Sequence, residues 1–373
     1  MKENALKPLL KYPGGKTSEL EVIEKYLPKD INNYIEPFVG GGAVYFYINN
    51  NSNFINDKSE ELMLLYKYVN KANKEFFEEL DIIINNWDRL TEVALDDRLS
   101  NLYLKFRDNE NIDMVSQLSA IVNAKIDEVP MFNLRKSIKF EEFLVKCLTA
   151  KFKLIKKNEI KKKKQLEITK LKENLEAGIK AAYYTYLRDV YNKPKEYDRL
   201  SKPRKVALYL FIREYCFSSM FRFNKDGGFN VPYGGVSYNK KSLLQKKNYY
   251  KDKSLRKLLK NTQFFNTDFY EFVRQIDIGG EDFMFLDPPY DTTFSEYDKN
   301  VFDTNDQKRL ADYLIEECPC KFMLIIKKTD YIYSLYKDKG LRIIEQDKNY
   351  FVSFKNRNKK SVKHLIIMNY WED

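Results

Sequence analysis

The 373-residue chain contains a single histidine, His364, and only four cysteines, Cys147, Cys216, Cys318 and Cys320. One histidine argues against a Ser-His-Asp hydrolase. Four cysteines are too few for a disulfide scaffold. Cys318-Pro319-Cys320 could form half of a metal clip, but no second cysteine pair exists to complete the four ligands of a structural zinc site. No metal is therefore expected. The sequence also lacks any run of about 18 apolar residues, so it predicts no membrane span. Its first residues, Met1-Lys2-Glu3-Asn4, lack the apolar stretch of a secretory signal. These absences predict a cytoplasmic protein. No glycine occurs between Gly42 and Gly178, which leaves that stretch poor in turn signals.

The composition is 43% hydrophobic and 15% aromatic, a globular pattern far from that of a disordered chain. At roughly 150 residues per domain, the length suggests two or three units. The formal net charge is +11, which points to a polyanionic partner. Much of it is local. Lys151 to Lys180 holds eleven lysines and four glutamates, a net +7, leaving +4 for the rest. That segment is either a solvated helical face or a nucleic-acid contact surface.

The first seventy residues read as an α/β unit. Tyr34-Ile35-Glu36 is a strand that runs into Pro37-Phe38-Val39-Gly40-Gly41-Gly42, and a helix follows from about Ala43. Phe54 to Asp57 is a second strand ending in an acid. From Phe76 to Lys180 the texture is helical, with Leu171, Leu175 and Ile179 forming one stripe. From Tyr183 to about Lys260 a helical stretch is followed by a turn-rich piece. There Phe221 to Tyr233 carries Asp226-Gly227, a hairpin signal. The α/β texture returns with strands near Gln263–Asn266, Phe283–Leu286 and Phe322–Ile326. Tyr350–Phe354 and His364–Asn369 read as a terminal antiparallel pair. About 200 residues separate the two α/β halves, too many for a loop in a compact domain, so a second domain is read as inserted into one sheet.

Three motifs carry chemistry. Glu36 to Gly42 sits where a strand becomes a helix. It is either a ligand loop, with close backbone approach and free N–H groups at the helix start, or a tight turn. Asp57 is placed to bind ribose hydroxyls or to cap a helix. Gly14-Gly15-Lys16-Thr17-Ser18 resembles a P-loop, but Leu10 stands where the Walker pattern needs glycine. Asp287-Pro288-Pro289-Tyr290 follows an apolar strand, so it projects from the carboxyl edge of the sheet, where open α/β sheets bind ligands. Two prolines remove two N–H donors. What remains is a carboxylate, carbonyl oxygens and an aromatic face, a set that accepts hydrogen bonds from an amino group and stacks on a planar ring. Adenine presents both features.

Leu10-Lys11-Tyr12-Pro13-Gly14-Gly15-Lys16, Glu36 to Gly42 and Asp287 to Tyr290 resemble, in order, the signatures of the Dam-type DNA N6-adenine methyltransferases. Phe229-Asn230-Val231-Pro232-Tyr233-Gly234 is similar to that family's recognition hairpin, and His364 to Tyr370 to its final strand. The resemblance covers about residues 6–75 and 183–372. It implies a Rossmann-like methyltransferase sheet with an inserted, mostly helical DNA-recognition domain carrying a β-hairpin. The implied divisions are 1–75 and 263–373 for the catalytic domain, 76–182 for a helical insertion and 183–262 for target recognition. The implied cofactor is S-adenosylmethionine, released as S-adenosylhomocysteine.

The resemblance also assigns roles. Tyr12, Gly14, Gly15 and Lys16 would contact the cofactor. Glu36, Pro37, Phe38 and Gly40 would wrap its methionine part, Asp57 its ribose, and Asp268 with Phe269 its adenine. Asp287, Pro288, Pro289 and Tyr290 would hold the flipped target base, with Asp287 also bordering the cofactor. Arg222, Phe223, Asn224, Lys225, Asn230, Pro232 and Tyr233 would face double-stranded DNA. Further implied partners are a cognate restriction endonuclease and, at most, a weak second copy of the chain. Cytosine-N4 methylation and a non-catalytic DNA-binding module are the alternatives. The chain departs from the family in three places. Residues from about 90 to 180 have no counterpart in its short members. Lys327-Lys328-Thr329 replaces smaller polar residues. The basic content of the hairpin differs from the GATC-specific pattern.

Overall fold

The computed structural model describes residues 6–12, 14–109, 111–126, 140–197, 200–290, 302–349 and 361–371. The chain divides into two compact units, 1–71 with 250–373, and 72–249.

The first unit is built on a seven-stranded sheet. Its strands are β1 (Tyr34–Glu36), β2 (Asn53–Asn56), β3 (Thr262–Phe265), β4 (Phe283–Leu286), β5 (Lys321–Lys327), β6 (Arg342–Asn349) and β7 (Ser361–Met368), in the order β3-β2-β1-β4-β5-β7-β6. The first five run parallel, and β7 pairs antiparallel with both β5 and β6. β4 and most of β5 are continuous apolar runs because both faces of a central parallel strand are covered. Ile35, Met284, Leu286, Leu324 and Ile326 point to one face, where Phe272, Leu310, Ile332 and Tyr336 pack on them. The strand order reverses between β1 and β4, which are hydrogen-bonded neighbours. Ligands of open α/β sheets bind at such a switch point, beyond the carboxyl ends of the strands. The glycine loop leaves β1 there and Asp287 leaves β4. The terminal antiparallel pair is β6 with β7; the expected strand at Tyr350–Phe354 lies outside the described residues.

Helices α1 (Leu20–Glu24), α2 (Ala43–Ile48) and α3 (Glu60–Asn70) also belong to this unit. The second unit begins with α4 (Lys74–Ala94), α5 (Asp97–Asp108), α6 (Met114–Ile126), α7 (Phe140–Lys162) and α8 (Ile168–Asn192), and closes with α9 (Lys202–Tyr215) and α10 (Leu243–Tyr249). α11 (Lys253–Lys260), α12 (Phe269–Arg274), α13 (Thr304–Asp312) and α14 (Asp330–Tyr336) return to the first. Local chemistry starts many of them. Asn73, Asp96, Ser201 and Asp252 cap α4, α5, α9 and α11 through their side chains, and Asp303 with Asp306 forms a capping box on α13. In α8 the stripe of Leu171, Leu175 and Ile179 is buried.

The expected hairpin at Phe221–Tyr233 forms, paired through isolated bridges. Its arms are bridged at Phe223 and Phe229, with Asn224 N–H donating to the Gly228 carbonyl and Asn230 N–H to the Arg222 carbonyl, and a second bridge joins Tyr233 to Cys216, ahead of the hairpin. Pro232 has no N–H to give, and the backbone groups of Phe229 and Val231 that face away from the opposite arm bond to helix side chains.

Candidate active site

Asp287 ends β4 and faces Lys16, whose side chain is only 2% exposed. The Lys16 ammonium lies 2.5 Å from Asp287 Oδ1, donates to Tyr290 Oη at 2.9 Å, and reaches the Gly14 carbonyl at 3.3 Å. Three oxygens therefore converge on one amine. Tyr290 Oη also donates to Asp287 Oδ1 at 3.4 Å. Lys16 and Tyr290 are 274 positions apart, so the fold assembles this group from opposite ends of the chain. His364, the only histidine, meets the Tyr290 ring edge-on at 5.4 Å. Gln307, fully buried on α13, donates from Nε2 to the Pro289 carbonyl at 3.0 Å. Sequence reasoning missed both supporting residues.

The glycine loop is closed by the protein itself. Gly40 N–H donates to Asp57 Oδ2 at 3.0 Å, Val39 N–H to the Asn56 carbonyl, and Gly42 N–H to the Val39 carbonyl. Asn56 Nδ2 holds the Pro37 carbonyl. These bonds use the N–H groups of the loop ahead of α2, which starts at Ala43. Gly40 and Gly42 have φ of 48° and 73°, and a Cβ on Gly42 would stand 2.6 Å from the Tyr66 hydroxyl. Tyr12 packs its ring against Gly40 and Gly41, and its carbonyl accepts from Gly15 N–H.

The loop is acidic beneath. Burial pushes the Glu36 carboxyl well up, the neighbouring charges of Asp287 and Asp57 add to this, and the Tyr34 hydroxyl bond at 2.8 Å opposes it. Asp57 also accepts from Ser59 N–H at 2.9 Å, which turns the chain into α3. Glu36, Asp57 and Asp287 meet at this switch point: burial favours the neutral form of Glu36, while Asp57 is bonded to Gly40 and Asp287 to Lys16.

Asp268 caps α12 and pairs with Lys58 at 3.1 Å and Arg309 at 2.9 Å. Burial acts to raise its carboxyl, but the Tyr270 N–H and these two cations outweigh burial and hold it below the usual range. Phe269 is buried between Phe38 at 5.6 Å and Phe302 at 5.9 Å, so Phe38 carries an aromatic wall into the glycine loop.

In the second unit, the proposed DNA-facing residues separate into two groups. Asn224 and Lys225 are exposed at the turn, where Asn224 Oδ1 accepts from Gly228 N–H at 2.7 Å. Arg222 is exposed but bonded across the hairpin to Asn230 Oδ1 at 2.7 Å. Phe223 packs on Phe221 and Phe229. Tyr233 packs on Trp87 and Tyr184 and donates to Asn239 Oδ1. The Pro232 carbonyl accepts from Phe217 N–H. Cys216 is a buried thiol whose pKa burial raises.

The lysine-rich segment also divides. Lys180 is buried, paired with Glu176 at 2.6 Å, and lies over the Trp87 ring. Lys170 pairs with Glu173 and Lys172 with Asp97. Lys161, Lys162, Lys163 and Lys164 are exposed where α7 ends. Among the described residues no helix is long and apolar enough to cross a membrane.

A family model described as D12 class N6 adenine-specific DNA methyltransferase matches residues 12–142 and 140–351. The chain is 30% identical to the Type II methyltransferase M.MjaIII of Methanocaldococcus jannaschii, over 98% of this chain and 99% of the relative. It is 25% identical to the Type II methyltransferase M.CviBI of Paramecium bursaria Chlorella virus NC1A, over 98% of this chain and all of that one. Both alignments span the middle segment. A DNA adenine methylase of Vibrio cholerae aligns over only 40% of this chain, at 27% identity. With the ordered motifs assembled at the switch point of its sheet, the chain belongs to the D12 class of N6 adenine-specific DNA methyltransferases.

Proposed function

We propose that the first unit methylates the N6 amino group of an adenine flipped out of double-stranded DNA, with S-adenosylmethionine as methyl donor, and that the second unit selects the site. One observation carries the catalytic part: Asp287, Tyr290 and the Gly14 carbonyl form an oxygen cluster that already holds an amine, the ammonium of Lys16. An adenine amino group asks for the same kind of acceptors. Asp287 takes one N6 hydrogen bond and the Pro288 carbonyl the other, which favours a pyramidal nitrogen with its lone pair directed outward. Tyr290, packed edge-on with His364, offers a face to the flipped ring. Flipping costs a few kcal/mol, and preorganised acceptors stabilise positive charge as it develops on N6. The glycine loop brings close backbone, the Tyr12 ring and the Asp57 carboxylate to the switch point, a lining that suits the methionine part and the ribose of this cofactor. When bound, S-adenosylmethionine supplies an electrophilic methyl group and leaves as S-adenosylhomocysteine.

Asp57 tests the cofactor site. Its carboxylate already orients Gly40 and Ser59, and in this reading it also binds the ribose hydroxyls. Hydrogen bonds to a charged group are worth roughly 1.5–3 kcal/mol each. Asp57→Ala should therefore weaken S-adenosylhomocysteine binding by about tenfold or more in calorimetry, with DNA affinity unchanged. An unchanged dissociation constant for S-adenosylhomocysteine would reduce Asp57 to a turn residue.

The exposed lysines at the end of α7 add affinity without specificity. Lysine acts as a point charge and lacks the planar fork that reads guanine bidentately. Each phosphate contact contributes about −0.9 to the slope of log affinity against log salt. Replacing Lys161, Lys162, Lys163 and Lys164 with Gln should flatten that slope and leave the methylated sequence unchanged. An identical slope would make them a solvated helix end.

A further inference from the structure

Helix α8 presents Tyr184, Arg188 and Asn192 at intervals of four, which places them on one face. All three hold the return arm of the hairpin by its backbone. Tyr184 Oη donates to the Val231 carbonyl at 2.8 Å, and Arg188 Nη1 donates to the same oxygen at 2.7 Å. Asn192 makes a double contact with Phe229: its Oδ1 accepts from the Phe229 N–H at 2.8 Å and its Nδ2 donates to the Phe229 carbonyl at 2.9 Å. A neighbouring β-strand offers a residue the same pair of bonds. Backbone bonds between the arms flank the Phe223–Phe229 pair, so the Phe229 N–H and C=O face outward and Asn192 satisfies that outer edge as a further strand would.

The contact continues to the turn. The Asn192 amide lies 3.4 Å from where a Cβ on Gly228 would stand, and Gly228 N–H donates to Asn224 Oδ1 at 2.7 Å. The outgoing arm is held separately by the buried Arg213 of α9. Its guanidinium lies 3.7 Å from the Phe221 ring centre and donates to the Met220 carbonyl at 3.0 Å. Both arms are therefore tied to helices, while Arg222, Asn224 and Lys225 remain exposed between them.

We propose that Asn192 is a positioning residue for sequence discrimination: by fixing both backbone groups of Phe229 it sets the register of the return arm and so the aim of the turn at Asn224 and Lys225. This rests on the reading that the turn faces DNA. A side chain that touches no base acts here by limiting the conformations from which bases are read, so its loss should relax selectivity more than it slows the chemistry.

The test uses the full-length enzyme, S-adenosylmethionine and duplexes carrying the methylated site, identified by sequencing of modified DNA, or a single mismatch within it. Asn192→Ala should lower the cognate-to-mismatch ratio of kcat/KM by about tenfold, leave kcat at saturating cognate DNA near the parent value, and accelerate amide exchange in 222–230. Asn192→Asp keeps the acceptor for the Phe229 N–H and loses the donor, so it should fall between the two and covers the case in which the alanine variant folds poorly. Asn224→Ala with Lys225→Ala is the control for the turn itself. If that control loses discrimination and neither Asn192 variant does, the clamp is structural only and the proposal is overturned. If the control also keeps full discrimination, the reading of the turn as the DNA-facing element falls, and the proposal falls with it.

Discussion

Asp287→Ala should lower methyl transfer by about a hundred- to a thousandfold, the effect of removing one preorganised acceptor at roughly 2.7–4 kcal/mol. Asp287 is the charged member of the oxygen cluster at the end of β4, and Tyr290 and Gly14 cannot replace its charge. DNA binding should survive, because the turn assigned to DNA lies in the other unit. Single-turnover assays with saturating cofactor separate the two effects. Activity within about threefold of the parent would remove Asp287 from the chemistry.

The same substitution has a second consequence, and it leads to the largest expected change in stability. Lys16 is buried, and Asp287 is its 2.5 Å partner. Breaking a buried pair from one side costs roughly 3–5 kcal/mol because a charge is left without compensation. Asp287 itself is 21% exposed, so water offsets part of that cost and the lower end of the range applies. Asp287→Ala should therefore lower the melting temperature as well as the rate. Lys16→Met combined with Asp287→Ala removes both charges and should recover most of the lost stability while recovering none of the activity. Thermal melts and methylation assays on the two single variants and the double variant test this together. A double variant less stable than either single one would mean that the pair is not coupled as the geometry implies.

The strand ends were the legible part of the site. Glycines after β1 and the Asp-Pro-Pro-Tyr run after β4 announce themselves because loops at carboxyl ends carry unusual residues in short, ordered stretches. The parallel core was legible for a similar reason, since Phe283–Leu286 is apolar without alternation. What could not be read were partners brought together by folding alone. Nothing near Pro289 marks Gln307 as the donor to its carbonyl, and His364 shows no sign of meeting Tyr290. Asn192 is 37 positions from Phe229 and looks like an ordinary helix-terminal residue. The hairpin was legible too, because its Asp-Gly turn brings Phe223 and Phe229 together as expected. Composition cannot divide the lysine run: it counts Lys180 with the rest although that side chain is buried against Glu176 and Trp87.

The central claim is that an amine-accepting cluster built on Asp287 directs methylation to the adenine amino group. Unmethylated plasmid incubated with the purified protein and S-adenosylmethionine, then digested to nucleosides and analysed by mass spectrometry, tests it most directly. The account predicts N6-methyldeoxyadenosine from the parent protein, formed about a hundred- to a thousandfold more slowly by Asp287→Ala, and no N4-methyldeoxycytidine from either. N4-methyldeoxycytidine as the product, or N6-methyldeoxyadenosine formed equally well without Asp287, would contradict it.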